Sequence, residues 1–275
     1  MAVASMSSVA GRELESGVAA LKLEGVTKRF RARDKIVTAL SETNLEVSAG
    51  EFITLVGPSG CGKSTLLNLV SGLTSPTQGK VSLMGKEISG ICRDVGYITQ
   101  QDNLFPWRSL RDNVALPLEL AGVALSERRD RADLWLERVG LKGFENSYPH
   151  ELSGGMRQRG NIVRTLIYEP KVILMDEPFG PLDAQTRIVL QDLLLSIWEK
   201  NRATVLFVTH DLTEAIALAD RVVMMTTRPG RIQRQDPVDI PRPRDVYSIQ
   251  KNQKFRDLYD ELWADLAVQV KNDLH

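Results

Sequence analysis

Gly57-Pro58-Ser59-Gly60-Cys61-Gly62-Lys63-Ser64 fits the pattern G-x-x-x-x-G-K-[ST]. It follows the apolar run Glu51 to Val56 and precedes a second apolar run, Thr65 to Val70, so the segment reads as a turn from a strand into a helix. Glycines let consecutive backbone N–H groups face inward and approach phosphate oxygens closely, and the start of the next helix adds the positive end of its dipole. In such a loop Gly57 through Thr65 surround the phosphates of a nucleotide, Lys63 reaches the β- and γ-phosphates and Ser64 holds Mg²⁺. Cys61, inside the loop, reads as a small filler.

Outward from this loop, two further apolar runs end in chemistry-bearing residues. Val172 to Met175 runs into Asp176-Glu177, and Thr204 to Thr209 runs into His210. Each run precedes a helical pattern, Asp183 to Lys200 and Leu212 to Asp220 respectively. Strands that alternate with helices predict a mostly parallel sheet covered by helices, with ligands gathered beyond the carboxyl ends of the strands. Neighbouring side chains on a strand point to opposite faces, so the two acids can differ in role. Asp176 suits a Mg²⁺ contact and Glu177 can orient or deprotonate an attacking water. His210 offers an imidazole to a γ-phosphate or to that water. Within the helix after Asp183, Ile188, Val189, Leu193, Leu194 and Ile197 recur at three- and four-residue steps and form a core face.

Strand signals thin out between Gln100 and Ser153, which predicts a helical insertion containing a Ser-capped helix from Ser126 to Gly140. Asp236 to Arg244 carries three prolines among charges and reads as a linker. Beyond it Phe255, Leu258, Tyr259, Leu262, Trp263 and Leu266 make the apolar stripe of a docked amphipathic helix. Residues 1–20 read as a disordered leader, because Ser, Gly, Arg and Glu interrupt any apolar core of signal-peptide length.

Composition narrows the class. The 275 residues carry 35 basic and 35 acidic side chains, so no positive excess exists to neutralise a phosphodiester backbone, and nucleic acid is not an expected partner. Two cysteines cannot form a disulfide framework or a four-ligand zinc site and fit a reducing compartment. No run of about eighteen apolar residues exists to cross a bilayer as a helix, so any membrane role is expected to pass through a partner.

Leu152-Ser153-Gly154-Gly155-Met156-Arg157-Gln158-Arg159 resembles the signature sequence of the ABC transporter ATPases. A Ser and two glycines opening a helix offer an anion a hydroxyl, free N–H groups and a dipole. The resemblance covers about Leu21 to Arg231 and implies a P-loop NTPase fold of the α/β class: a mostly parallel sheet, an antiparallel β subdomain near the N-terminus and an α-helical subdomain inserted over roughly 102–162. It further implies that Ser153, Gly154 and Gly155 of one subunit close over the ATP held by the phosphate loop of a second, identical or homologous, subunit. Gln100, with Gln101 beside it, resembles the glutamine that joins the Mg²⁺ and water site to the membrane partner. Leu182-Asp183 resembles the loop that crosses the dimer seam, placing Asp183 near the partner's ATP, and His210 resembles the switch histidine. Phe30 resembles the aromatic stacked on adenine.

Two departures stand out. Pro181 replaces a small residue, and Gly160-Asn161 interrupt a helix that relatives fill with alanines, where Gly costs about 1 kcal/mol relative to Ala. Asp102-Asn103-Leu104-Phe105-Pro106-Trp107, Arg228-Pro229-Gly230-Arg231 and the closing helix resemble the nitrate, sulfonate and taurine importer subfamily. That likeness implies a peripheral subunit on the cytoplasmic face of the cell membrane, transmembrane permease partners touched by an exposed Leu104, Phe105 and Trp107 cluster, and an external solute-binding protein. The alternatives are a P-loop kinase, in which Leu152 to Arg159 has no evident job, a soluble ATPase acting on nucleic acid or ribosomes, which calls for two cassettes or a coiled-coil insertion, and a nucleotide-gated module without hydrolysis. Asp176, Glu177 and His210 together argue against the last.

Overall fold

Strand β3 (Phe52–Val56) is buried along its whole length, and its alternating side chains enter two different cores. Ile53 and Leu55 face one, Phe52 and Val56 the other. The same split recurs in β7 (Val172–Asp176), β8 (Thr204–Val208) and β9 (Arg221–Met225), because a period of two on a central strand serves both faces of a sheet. With β6 (Val95–Ile98) and β10 (Ile232–Pro237) these strands form a six-stranded sheet of order β10-β9-β3-β8-β7-β6. All of its pairings are parallel except β10 with β9. The structure is a computed structural model that describes residues 19–32, 35–227 and 229–273; most of the expected leader, residues 1–18, and Arg228 lie outside the described residues. Ala20, at the end of the expected leader, is already buried and its N–H donates to the Val47 carbonyl.

A second, antiparallel sheet has the order β2-β1-β4-β5, from β1 (Leu21–Ala32), β2 (Lys35–Val47), β4 (Gln78–Leu83) and β5 (Lys86–Glu87). Between the sheets lies α1 (Lys63–Val70), whose Leu66, Leu67, Leu69 and Val70 join the core shared by both. On the other face of the large sheet, α2 (Leu110–Leu120) and α3 (Leu125–Arg138) pack on α4 (Gly154–Leu166), which with α5 (Ala184–Asn201) and α6 (Leu212–Leu218) lies against the strands, and α7 (Gln253–Asp273) packs on α6.

Three expectations need correction. Helix α3 starts one residue early, with Ala124 at its N-cap and no side-chain cap, so Ser126 lies inside it. Gly160 does not weaken α4 without return: a Cβ there would come within 2.6 Å of the buried Leu110 of α2, so the bare position lets the two helices approach closely. The segment from Asp236 to Arg244 is no free linker. Its first residues complete β10, and Arg244, 8% exposed, donates to the carbonyls of Ile216, Ala217 and Ala219 at the end of α6 and of Val238 and Ile240. Burial pushes this guanidinium down to about 10, so it stays cationic at neutral pH.

The stripe on α7 docks through Phe255, Leu262 and Leu266, while Trp263 is half exposed. Arg234 of β10 holds the helix in place through Asp265 at 2.6 Å and Glu261 at 3.3 Å, with Asp236 on its other side. Replacing Arg244 with Met leaves several buried carbonyls without their cationic donor and is expected to cost about 3 kcal/mol of stability, read from the urea midpoint.

Candidate functional site

The parallel register brings four strand ends to one edge. Ile98 lies opposite Met175, Asp176 opposite Val208 and Leu55 opposite Val208, so the segments after β6, β7, β8 and β3 leave the sheet side by side. Those segments carry Gln100, Glu177, His210 and the phosphate loop.

The loop is folded around its own lysine. Lys63 Nζ donates to the carbonyls of Gly57 (2.7 Å) and Pro58 (2.9 Å) and lies 3.7 Å from Cys61 Sγ. Gly62 occupies the N-cap of α1 with φ 95°, in the left-handed region, and no side chain caps that helix start, so its first N–H groups point to the loop interior. Cys61 is fully buried, and burial pushes its thiol up, in keeping with a filler. Gly230 backs the loop from outside. Its N–H donates to Ala39 and its carbonyl accepts from Ser41, and a Cβ on it would come within 1.9 Å of the Cys61 carbonyl oxygen. The sequence singled out this glycine only as a subfamily feature; its physical role is close approach to the phosphate loop.

Asp176 is partly buried next to Ser64 and Tyr97. Burial raises its carboxyl above the usual range, while the Ser64 hydroxyl, the Lys63 charge and the Tyr97 phenol pull it back. Tyr97 also hydrogen-bonds Asn68 of α1 at 3.4 Å, tying this strand end to the helix of the phosphate loop. A hydroxyl and one carboxylate are the hard oxygen donors that Mg²⁺ takes alongside phosphate and water. Among the described residues no group of three or more His, Cys, Asp or Glu could hold a metal ion.

Glu177 adopts φ 45°, rare for a side chain that is not Gly, Asn or Asp, and its N–H bonds the Val208 carbonyl at 3.0 Å. That backbone turn aims its carboxylate between two partners, Gln100 Nε2 at 3.4 Å and His210 Nδ1 at 3.3 Å. Glutamate, glutamine and histidine therefore converge, with the imidazole largely open to solvent.

The remaining candidates sit outside that cluster. Ser153 caps α4 by accepting from the Met156 N–H at 3.3 Å, with Gly154 and Gly155 in the first turn. Asp183 caps α5 through Gln185 and Thr186, and those hydrogen bonds hold its carboxyl below the usual range. Phe30 is exposed on β1 with Lys28 Nζ 5.0 Å over its ring. Leu104 departs from the expected exposed cluster: it is 7% exposed and packs into the helical core, so only Phe105 and Trp107, 5.2 Å between ring centroids, form the outward patch.

Sequence reading did not assign the contacts that hold these segments together. Asn113 is fully buried and uses both ends of its amide, accepting from Phe105 N–H and donating to the carbonyls of Phe105, Arg108 and Ser109. It thereby pins the aromatic patch. Arg157 Nε pairs with Asp102 at 2.9 Å, Arg164 holds the Asn103 and Asp102 carbonyls, and Gln158 donates to the Pro178 carbonyl at 2.6 Å. Helix α4, led by Ser153, is thus tied both to the segment after Gln100 and to the one after Glu177. Arg157 and Gln158 lie within the signature string, but no local pattern reveals that their partners are Asp102 and Pro178, residues distant in sequence.

A family model described as "ABC transporter" matches residues 40–180. The chain is 52% identical over 230 residues to an uncharacterized ABC transporter ATP-binding protein of Methanocaldococcus jannaschii, covering 84% of this chain and 86% of that one. It is 43% identical to the aliphatic sulfonates import ATP-binding protein of Bacillus cereus, over 82% of this chain and 88% of the other. To the nitrate import ATP-binding protein of a Synechocystis strain it is 41% identical, over 88% and 93%. Among solved structures it resembles a dimeric post-hydrolysis state of an ATP-binding cassette bound to ADP and Pi, with TM-score 0.73 and 34% identity over 80% of this chain and all of that one.

Gly230→Ala forces the Cys61 carbonyl and the phosphate loop to move. Affinity for a fluorescent ATP analogue is expected to fall about tenfold, equal to about 1.4 kcal/mol, with secondary structure retained by circular dichroism.

Proposed function

This chain belongs to the ABC transporter family, and on that premise we propose that it is the ATP-hydrolysing subunit of an importer, driving a small solute through separate membrane subunits. The observation that carries the hydrolytic part is the convergence of Gln100, Glu177 and His210 beside the phosphate loop. ATP binds with its phosphates along Gly57 to Thr65, and Lys63 exchanges its loop carbonyls for the β- and γ-phosphate oxygens. Phe30 offers its exposed face to the adenine.

Ser64, Asp176 and Gln100 are the residues that would hold Mg²⁺, which would supply positive charge to offset the charge of the phosphates. Glu177 orients the attacking water and takes its proton, and its left-handed backbone keeps the carboxylate aimed at the phosphate edge. His210, 3.3 Å from that carboxylate, steadies it and faces the γ-phosphate.

Two copies complete each other. Ser153, Gly154 and Gly155, opening α4, close over the γ-phosphate bound by the second subunit, with Asp183 at the seam. ATP holds this state because it binds the closed pair better than the open one. Phe105 and Trp107 anchor the permease, and the Arg157–Asp102 pair and the Arg164 contacts carry movement of α4 to that patch. The solute is a small anion, in line with the relatives whose names specify sulfonates and nitrate, delivered by an external binding protein. The subunit is peripheral, at the cytoplasmic face; no described helix is long and apolar enough to cross a membrane.

Glu177→Gln is expected to leave ATP affinity within about threefold and to slow hydrolysis at least a hundredfold in a phosphate-release assay. Near-normal turnover removes Glu177 from its role. Trp107→Ala is expected to keep the basal ATPase and to lose most solute uptake in vesicles reconstituted with the permease.

A further inference from the structure

Behind the cluster of Glu177 and His210 lies a polar network that the mechanism above does not use. Arg187, in the first turn of α5, extends its guanidinium in three directions. Nη2 donates to the Leu182 carbonyl at 3.2 Å, Nη1 to Asp211 Oδ2 at 3.5 Å, and Nε lies 3.6 Å from Glu214 Oε1. Glu214 is buried on α6, where it accepts from Thr209 Oγ1 at 2.6 Å and from Gln191 Nε2 at 3.0 Å. Thr209 Oγ1 in turn accepts from the Asp211 N–H at 3.0 Å. Thr209 and Asp211 flank His210, and Leu182 precedes Asp183.

Burying a carboxylate is costly, and apolar side chains would fill the same space between α5 and α6 more cheaply. Only a forked cation reaches two loops at once with fixed geometry. The buried Nε has no hydrogen-bond partner, yet a shift of a few tenths of an ångström would bring Glu214 into bonding range. The network is therefore able to tighten when either loop moves.

We infer that Arg187 is a positioning residue for hydrolysis, locking the loop that bears Asp183 to the loop that bears His210 and so holding the imidazole against Glu177 as the dimer seam closes. The inference rests on the roles proposed above for Glu177 and His210. Arg187 acts through its contacts with Asp211 and the Leu182 backbone.

The test is a cycle of Arg187→Ala, His210→Ala and the double variant in the full chain, measured as single-turnover phosphate release, with ATP affinity read separately. Arg187→Ala is expected to slow hydrolysis about 10- to 100-fold with ATP affinity within about threefold, and to slow the His210→Ala protein by less than about twofold more. Losses that multiply in the double variant overturn the inference, as does wild-type turnover in Arg187→Ala. Should Arg187→Ala fail to bind ATP, Arg187→Lys decides: intermediate turnover with intact binding supports the fork, and wild-type turnover refutes it. Normal hydrolysis by His210→Ala sinks the histidine's role and this inference together, whereas a slow His210→Ala beside a normal Arg187→Ala sinks only the latter.

Discussion

Parallel pairing of β6, β7, β8 and β3 is the constraint on which the rest depends. A parallel ladder in register makes strands end together, so the turns that follow them share one edge. Glutamine, glutamate, histidine and phosphate loop meet there although they lie up to about 150 residues apart, because four short backbone ladders fix their starting points. What keeps the ladders aligned is burial on both faces. Slipping one strand by a residue would exchange the sets Ile53/Leu55 and Phe52/Val56 between two differently shaped cores.

Around that rigid edge the molecule places elements held by buried polar contacts. Helix α4 illustrates the arrangement: Ser153 faces outward, while Arg157, Gln158 and Arg164 grip the segments after Gln100 and Glu177. Such bonds are directional, so they fix one loop arrangement among several that apolar packing alone would tolerate. Asn113 does the same for the aromatic patch, and Arg244 for the segment that crosses behind α6. Core packing sets stability, and these few polar contacts fix which loops are tied to one another.

The convergence of the candidate residues on one edge was legible in the sequence because the parts are local. The phosphate loop, the acidic pair ending β7 and the histidine after β8 each follow an apolar strand directly. Leu104 was misplaced because hydrophobicity in a loop does not tell which way a side chain turns; Phe105 and Trp107, its neighbours, go outward while it goes in. Asp236 to Arg244 read as a linker because the partners of Arg244, the carbonyls ending α6, are reached only by the folded chain. Gly160 looked like a defect since the cost of a helical glycine is local, whereas its return, contact with Leu110, comes from another helix. Gln158 sits in the signature string without revealing its contact with Pro178, and Arg187 carries no motif that separates it from any other polar residue on a helix.

The central claim is that the Ser153 turn of one copy completes the phosphate site built on Lys63 of another. A structure of the Glu177→Gln protein trapped with ATP tests it most directly. The account requires the γ-phosphate within hydrogen-bond reach of Lys63 from one subunit and of the Ser153 to Gly155 turn from its partner. A trapped complex in which that turn lies far from every γ-phosphate, with Lys63 still on its own nucleotide, contradicts it.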